Sequence, residues 1–175
     1  MKRRPPFEIR ASPIHGVGAF ATRRIRAGTR LIEYAGARIT PAEADERYPD
    51  TSGVEHHTFL FAIDDEWVVD AAVDGNDARW INHSCDPNCE SEIEKGRVYI
   101  FALRDIRVGE ELAYDYAYER SGDETEKEEK LYACRCGAKH CRGSIMEPIE
   151  DFKKRQRALA RKRAATRAKR KSARA

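Results

Sequence analysis

The chain has 175 residues with 33 Lys/Arg and 30 Asp/Glu, a formal net charge of +3 and a length that sets one domain as the starting expectation. No apolar run approaches the roughly 18–20 residues needed to cross a bilayer, and the basic start Met1-Lys2-Arg3-Arg4-Pro5-Pro6 leads into no apolar segment, which argues against a membrane span and a secretory signal. Five cysteines, three of them within eight residues, argue for thiolates in a reducing compartment and against a disulfide framework.

Phe7-Glu8-Ile9-Arg10-Ala11 alternates like a short strand, and Gly16 and Gly18 punctuate the loop after it. Residues 31–34 are strand-like between turn signals at Ala27-Gly28 and Gly36. Thr40-Pro41-Ala42-Glu43 is a capping box with Pro at the first helical position, which predicts a short helix to about Tyr48, stopped by Pro49. Residues 58–63 and 67–70 read as two strands turning at Asp64-Asp65, with Asp70 fixing a strand end; His56 and His57 read as loop positions. A short helix is expected at 78–81 and a hairpin at 90–93 and 98–102 around Lys95-Gly96, with Glu110-Glu111 exposed at a turn. Residues 122–130 are acidic and break the strand pattern, as a linker or a surface helix. Many short strands with few helices and no internal repeat predict a mainly β, β-rich α+β domain of small sheets.

The end of the chain has its own character. Residues 152–175 hold twelve Lys/Arg and no Asp/Glu, which leaves 21 basic against 30 acidic residues in 1–151, a balance of −9. Ala, Arg and Lys favour helix but the charge opposes it, so a frayed or partly helical tail is expected. A like-charge block of this kind is a solvated extension and a candidate for nucleic-acid contact. The acidic body suits a basic protein substrate.

Cys134-Arg135-Cys136 and Cys141-Arg142 form a Cys-x-Cys-x4-Cys cluster flanked by charge, a poor setting for buried small hydrophobes. Tetrahedral zinc takes four ligands, so a fourth must come from elsewhere; Cys85 is the best candidate, with Cys89 the alternative. Zinc so held would staple the C-terminal loop over a Pro/Asn-rich segment and roof an active site. Gly16-Val17-Gly18 is an ordinary turn or a place where backbone approaches a ligand closely. His83 alone reads as a core histidine, and Tyr114-Asp115-Tyr116 alone as a strand with aromatic packing.

Asn82-His83-Ser84-Cys85-Asp86-Pro87-Asn88, then Gly109-Glu110-Glu111-Leu112-Ala113-Tyr114-Asp115-Tyr116, then the three cysteines, resemble a SET-domain protein lysine methyltransferase with a post-SET zinc loop. His15-Gly16-Val17-Gly18-Ala19-Phe20-Ala21, Ile32-Glu33-Tyr34-Ala35-Gly36 and Val69-Asp70-Ala71 agree and fall in the family's order. The resemblance runs from about Phe7 to Glu147 and is closest to the trithorax/mixed-lineage-leukaemia type.

The resemblance implies a SET fold of small curved sheets with a pseudoknot, one segment passing through a loop formed by another. It divides the chain into a SET domain (1–120), an acidic linker (121–133), a zinc-bound post-SET loop (134–148) and a basic tail (149–175). S-adenosylmethionine is expected against Gly16, Val17 and Gly18, with Tyr34, Arg79, Asn82, His83 and Tyr116 nearby and His83 largely structural. Zinc is expected on Cys85, Cys134, Cys136 and Cys141, leaving Cys89 a buried free thiol. Tyr116 matches the catalytic tyrosine and Tyr114 the position that controls how many methyls fit, with Tyr34 and Phe59 completing the lysine channel. Phe59 departs from the tyrosine that related enzymes often carry there, which makes one side of the channel more apolar. A free lysine is almost fully protonated at pH 7, and an apolar channel beside a cationic sulfonium disfavours that ammonium. Phenols and carbonyls can then align amine and methyl.

The implied activity is S-adenosylmethionine-dependent methylation of histone or histone-like nucleoid lysines, to mono- and dimethyl-lysine. Nucleic acid through residues 152–175 is the further candidate partner, with no membrane and the oligomeric state left open. The implied location is cytoplasm and nucleoid for a bacterial protein, nuclear or chromosomal for a eukaryotic or host-directed one. The competing reading is a catalytically silent chromatin- or nucleic-acid-binding module that uses the SET shell as scaffold and the tail for binding.

Overall fold

The structure is a computed structural model and describes residues 5–49 and 59–172; Thr58 and the histidine pair His56 and His57 lie outside the described residues. β1 (Phe7–Ala11) and β2 (Val17–Ala21) form an antiparallel pair in which Phe7 faces Ala21 and Ala11 faces Val17. Gly18, expected in a loop, is therefore inside a strand. β3 (Arg30–Tyr34) pairs antiparallel with β9 (Arg97–Ala102), and β9 with β8 (Cys89–Glu94). The same sheet continues through β10 (Ala113–Tyr114) to β7 (Asn82–His83), both junctions parallel. A third sheet sets β6 (Val68–Asp70) between β4 (Ala37–Ile39) and β5 (Leu60–Ala62).

Period-two alternation decides which side of β9 faces inward. Val98, Ile100 and Ala102 are buried, while Arg97 is exposed and Tyr99 and Phe101 half-buried. On the outer face the Arg30 guanidinium lies 4.2 Å from the Tyr99 ring centre and pairs with Glu94 at 2.6 Å. The β8–β9 turn has Lys95 at φ 51° and Gly96 at φ 74°, the two left-handed residues that a tight twisted hairpin requires. Ile81, Ile100, Ile106 and Leu112 form the driest part of the core.

α1 (Pro41–Arg47) begins as the capping box predicts: Glu43 N–H donates to Thr40 Oγ1 at 3.2 Å, and Thr40 N–H to Glu43 Oε2 at 2.7 Å. Its end turns Arg47 and Tyr48 onto Asp70, which is wholly buried. Asp70 accepts from Arg47 Nη1 at 3.0 Å, from Tyr48 Oη at 3.0 and 3.1 Å and from the Ala72 N–H at 3.0 Å. The helix expected at 78–81 is a 3-10 turn, Asp77–Trp80, capped by Asn76.

α2 (Glu126–Leu131) occupies the acidic stretch. α3 (Ile149–Ser172) is one continuous helix, where a frayed or partly helical tail was expected. Its first turns are fastened: a Cβ on Gly122 would stand 2.6 Å from Phe152 Cζ, and Arg155 donates to Arg120 O at 2.8 Å and pairs with Glu147. Tertiary anchoring at one end supplies the nucleus that charge repulsion would otherwise deny. Among the described residues no helix is long and apolar enough to cross a membrane.

Asp70→Asn keeps the size but weakens three charge-assisted bonds at a buried position. It should lower unfolding stability by about 2–3 kcal/mol, read by urea denaturation. A loss below half a kcal/mol would show that α1 is held to β6 by other means.

Candidate active site and metal centre

Parallel pairing of β7 with β10 builds the site. Asn82 faces Ala113 and His83 faces Tyr114, and the Ser84 N–H donates to Tyr114 O at 3.1 Å. This fixes the segment 82–85 beside 113–116, so Asn82, His83, Cys85, Tyr114 and Tyr116 share one region. Asn88 secures the far side, donating to Glu111 O at 2.7 Å and accepting from Ala113 N–H at 2.9 Å.

Asn82 Nδ2 lies 3.0 Å from Val17 O and 2.8 Å from Glu111 Oε1, which joins β7 to the glycine loop. A Cβ on Gly18 would overlap Glu111 Oε1, so only glycine lets the carboxylate approach. Gly16 is left-handed with φ 44°. Glu110 and Glu111 are thus engaged and half-buried, not exposed as expected. Burial pushes Glu110 up, but Arg104, the Arg107 N–H and Asn88 hold it down at about 2. Ser12, which donates to Glu111 at 2.7 Å, carries no motif signal in the sequence, and Glu111, inside the 109–116 motif, reads there only as an exposed turn residue.

Tyr34, Tyr114 and Tyr116 converge on an aromatic cluster. Ring centres of Tyr114 and Tyr116 are 4.8 Å apart, and Phe61 sits between Tyr34 at 5.4 Å and Tyr114 at 6.4 Å. Tyr118 lies 5.9 Å from Tyr116. Sequence reasoning missed Phe61 and Tyr118; the spacing of Phe59 and Phe61 could have flagged the first. Phe59 packs on Trp80 at 5.2 Å toward Arg79, and its carbonyl accepts the Tyr34 hydroxyl at 3.2 Å. The Tyr116 hydroxyl donates to Ile81 O at 2.9 Å. Burial pushes the phenols of Tyr34, Tyr114 and Tyr116 well above the ordinary value, so they are neutral hydrogen-bonding groups and not bases. After Tyr116 the chain turns sharply, with Ala117 at φ 44° and its N–H donated to Asp115 Oδ1 at 3.0 Å.

His83 is a structural link. Its Nδ1 accepts the Tyr116 N–H at 3.1 Å, which leaves the proton on Nε2, 3.4 Å from Cys85 Sγ. Burial holds its pKa down to about 4, against the opposing effect of Asp115, so the ring is neutral.

The sulfurs of Cys85, Cys134, Cys136 and Cys141 all lie within 4.8 Å of one another. Cys85 Sγ is 3.7 Å from Cys134 Sγ and 3.9 Å from Cys141 Sγ. Four thiolates at zinc–sulfur distances of about 2.3 Å on a tetrahedron stand roughly 3.8 Å apart, so the set fits zinc. Burial opposes ionisation at Cys85, Cys134 and Cys136, yet N–H groups of Cys85 and Ala138 and the neighbouring thiols hold Cys136 at about 6. Cys89 is buried away from the cluster, its thiol pushed up to about 12 by burial.

A second clasp binds this loop to the aromatic strand. Arg142 meets Asp115 through both nitrogens, Nη1 at 2.7 Å from Oδ2, and its Nε donates to Met146 O at 2.8 Å. Asp115 therefore both caps the turn at Ala117 and reaches across to the cysteine loop. Arg79 donates Nη1 to Ala71 O at 3.0 Å, while its Nε is buried without a partner. The 3-10 turn carrying Arg79 packs on β2, and its guanidinium lies over the Trp80 ring at 4.8 Å and toward Phe59 at 5.6 Å.

Residues 16–117 match the SET domain. The chain is 44% identical over 150 residues to "Histone-lysine N-methyltransferase, H3 lysine-4 specific" of Eremothecium gossypii, covering 82% of this chain and 15% of that protein. Its counterpart in Saccharomyces cerevisiae is 43% identical over 150 residues, covering 82% of this chain and 13% of that protein. "Histone-lysine N-methyltransferase trithorax" of Drosophila melanogaster is 44% identical over 137 residues, covering 75% of this chain and 3% of that protein. The chain thus spans a small fraction of the length of these relatives. They are fungal and fly proteins, which lends the nucleoid alternative no support.

Metal analysis of the purified chain should give about one zinc, and Cys136→Ser should release it, because three thiolates hold the ion poorly. Full zinc retention in that variant would remove Cys136 from the ligand set.

Proposed function

Because the chain belongs to the SET-domain family, we propose that it is a protein lysine N-methyltransferase that uses S-adenosylmethionine and a structural zinc. The observation that carries this reading is the convergence, across one parallel strand pair, of the glycine loop with Asn82 and of buried neutral phenols with Tyr116. The cofactor would supply a sulfonium methyl for direct transfer to nitrogen, held by Gly16, Val17, Gly18, Tyr34, Arg79, Asn82, His83 and Tyr116. The chain's part is positioning and exclusion of water. The aromatic wall desolvates the incoming lysine and favours its neutral amine. The Tyr116 and Tyr34 hydroxyls, fixed by the carbonyls of Ile81 and Phe59, offer oriented oxygen atoms toward the amine and the methyl carbon. Zinc on Cys85, Cys134, Cys136 and Cys141 would hold the loop 134–148 against this wall, with Arg142 and Asp115 as the second tie.

The substrate class we infer is a basic, histone-type tail. It is supported by the −9 balance of residues 1–151 and by relatives whose names specify histone lysine. Tyr114 packed against Tyr116 leaves little room beside the amine, so mono- with some dimethyl-lysine is the proposed product. The setting is chromatin, and the helix of residues 152–172 within the basic tail is a candidate arm for the nucleic acid that accompanies such a substrate. The division into SET domain (1–120), linker (121–133), post-SET loop (134–148) and tail (149–175) is kept as part of this proposal.

Radiolabelled methyl transfer to histone H3, with mass spectrometry of the product, tests the reading. Tyr116→Phe should lower turnover by roughly two orders of magnitude, about 3 kcal/mol of transition-state stabilisation, with cofactor affinity nearly unchanged. Undiminished turnover would refute the assignment of Tyr116, and predominant trimethyl-lysine would refute the proposed product. Cofactor binding by calorimetry without transfer to any protein would favour the silent module.

Truncation after Asp151 should leave turnover of a short peptide intact and abolish the steep salt dependence of DNA binding. Equal DNA affinity for the full and truncated chains would end the docking role of the tail.

A further inference from the structure

Glu111 takes no part in the chemistry above, yet one of its oxygens sits where the glycine loop meets β7. We propose that Glu111 is a positioning residue that holds loop 12–18 in its cofactor-binding form through Ser12 and Asn82. The inference rests on the reading of that loop as the S-adenosylmethionine site.

The contacts form a closed set. Glu111 Oε1 accepts from Ser12 Oγ at 2.7 Å and from Asn82 Nδ2 at 2.8 Å. With its proton committed to the carboxylate, Ser12 Oγ turns its lone pairs to the loop, accepting from Ile14 N–H at 3.0 Å and His15 N–H at 3.4 Å. The Ser12 N–H closes the turn on Gly16 O at 3.1 Å. On the outgoing side, Asn82 Nδ2 lies 3.0 Å from Val17 O. Both ends of the loop are therefore referred to one carboxylate oxygen, which is carried by the chain that leads into Tyr114 and Tyr116.

Two further facts argue that the tie is needed. The backbone holds β2 to the segment of Glu111, with Leu112 N–H on Ala19 O at 2.8 Å and Ala21 N–H on Glu110 O at 2.9 Å, but these bonds stop short of loop 12–16, which the Glu111 side chain reaches through Ser12. The approach is also bought by Gly18, since any side chain there would displace the carboxylate. An ionised acceptor strengthens both bonds relative to a neutral one. The carboxylate is also close enough for its charge to act on Tyr116, so a direct attraction for a cationic cofactor is the rival that the test must separate.

The test uses the full chain with zinc bound. Hydrogen exchange of the cofactor-free protein reads the loop itself, and calorimetry reads binding of S-adenosylmethionine and of its uncharged thioether product, S-adenosylhomocysteine. Glu111→Ala should speed exchange across residues 12–18 while β8 and β9 stay protected. It should weaken both ligands alike, by roughly 10- to 100-fold, the worth of one or two charge-assisted hydrogen bonds. The KM for cofactor should rise more than kcat falls, and Glu111→Gln should lie between. Ser12→Ala should reproduce the effect in part and add little on top of Glu111→Ala; this half-buried serine keeps the inference testable if Glu111→Ala folds poorly. Unchanged exchange and affinity in both variants would overturn the proposal. So would a loss confined to S-adenosylmethionine, which would assign Glu111 a direct electrostatic role. Failure of the wild-type chain to bind either ligand would instead sink the cofactor reading, and the exchange comparison would still judge the tie.

Discussion

The structure hangs on the parallel pairing of Asn82–His83 with Ala113–Tyr114. The two strands are only two residues long and contribute few hydrogen bonds of their own. Their hold comes from flanking groups: Leu112 N–H to Ala19 O at 2.8 Å, Ser84 N–H to Tyr114 O, and Asn88 on both Glu111 and Ala113. Because neighbouring residues in a strand point to opposite faces, this one junction sends Tyr114 into the core while Asn82 reaches the glycine loop. The polar groups that decide the site are buried and paired, which makes their positions costly to change.

Charge in this region is arranged in layers. Four thiolates around a divalent ion would carry a net negative charge, and Arg142 stands beside the four cysteines while giving both nitrogens to Asp115. His83 stays neutral between Asp115 and Cys85. The aromatic wall therefore contains no free charge of its own. A cationic centre entering it meets phenol oxygens, carbonyl oxygens and ring faces, which attract positive charge without forming a salt bridge. Under the proposed function that cationic centre would be the cofactor sulfonium, and selection of the neutral lysine amine beside it would depend on desolvation, shape and oriented dipoles.

How much of this was legible in the sequence follows from the length scale of each signal. The capping box at Thr40–Glu43 and the Lys95-Gly96 turn are local, and both were readable with their mechanism. The cluster Cys134, Cys136 and Cys141 was readable because thiolates at close spacing have few other uses, while Cys85, remote in sequence, was preferred over Cys89 partly through the family resemblance. β4, β7 and β10 were not, since two or three residues carry no periodicity. Glu111 looked like a solvated turn residue because its partners, Ser12 and Asn82, are remote in sequence. The pairing of Asp115 with Arg142 was hidden in the same way, since the two are 27 residues apart and meet only when the loop folds back. The helical propensity of the tail was readable from its Ala, Arg and Lys content, but its continuity was not, because its anchors, Gly122 and Glu147, precede it.

The missing side chain at Gly18 has a consequence for recombination. The hairpin that carries Gly18 and the segment that carries Glu111 come from opposite halves of the chain, yet they fit only as a matched pair. A chimera that joins the first half of one SET domain to the second half of another inherits this pair from two parents. If one parent fills the Gly18 position with a larger residue, the junction carries a steric conflict that no choice of crossover point between the two positions removes. Compatible exchange partners are therefore those that share the glycine and the carboxylate together, and positions 18 and 111 are the first to inspect when such a cut is planned.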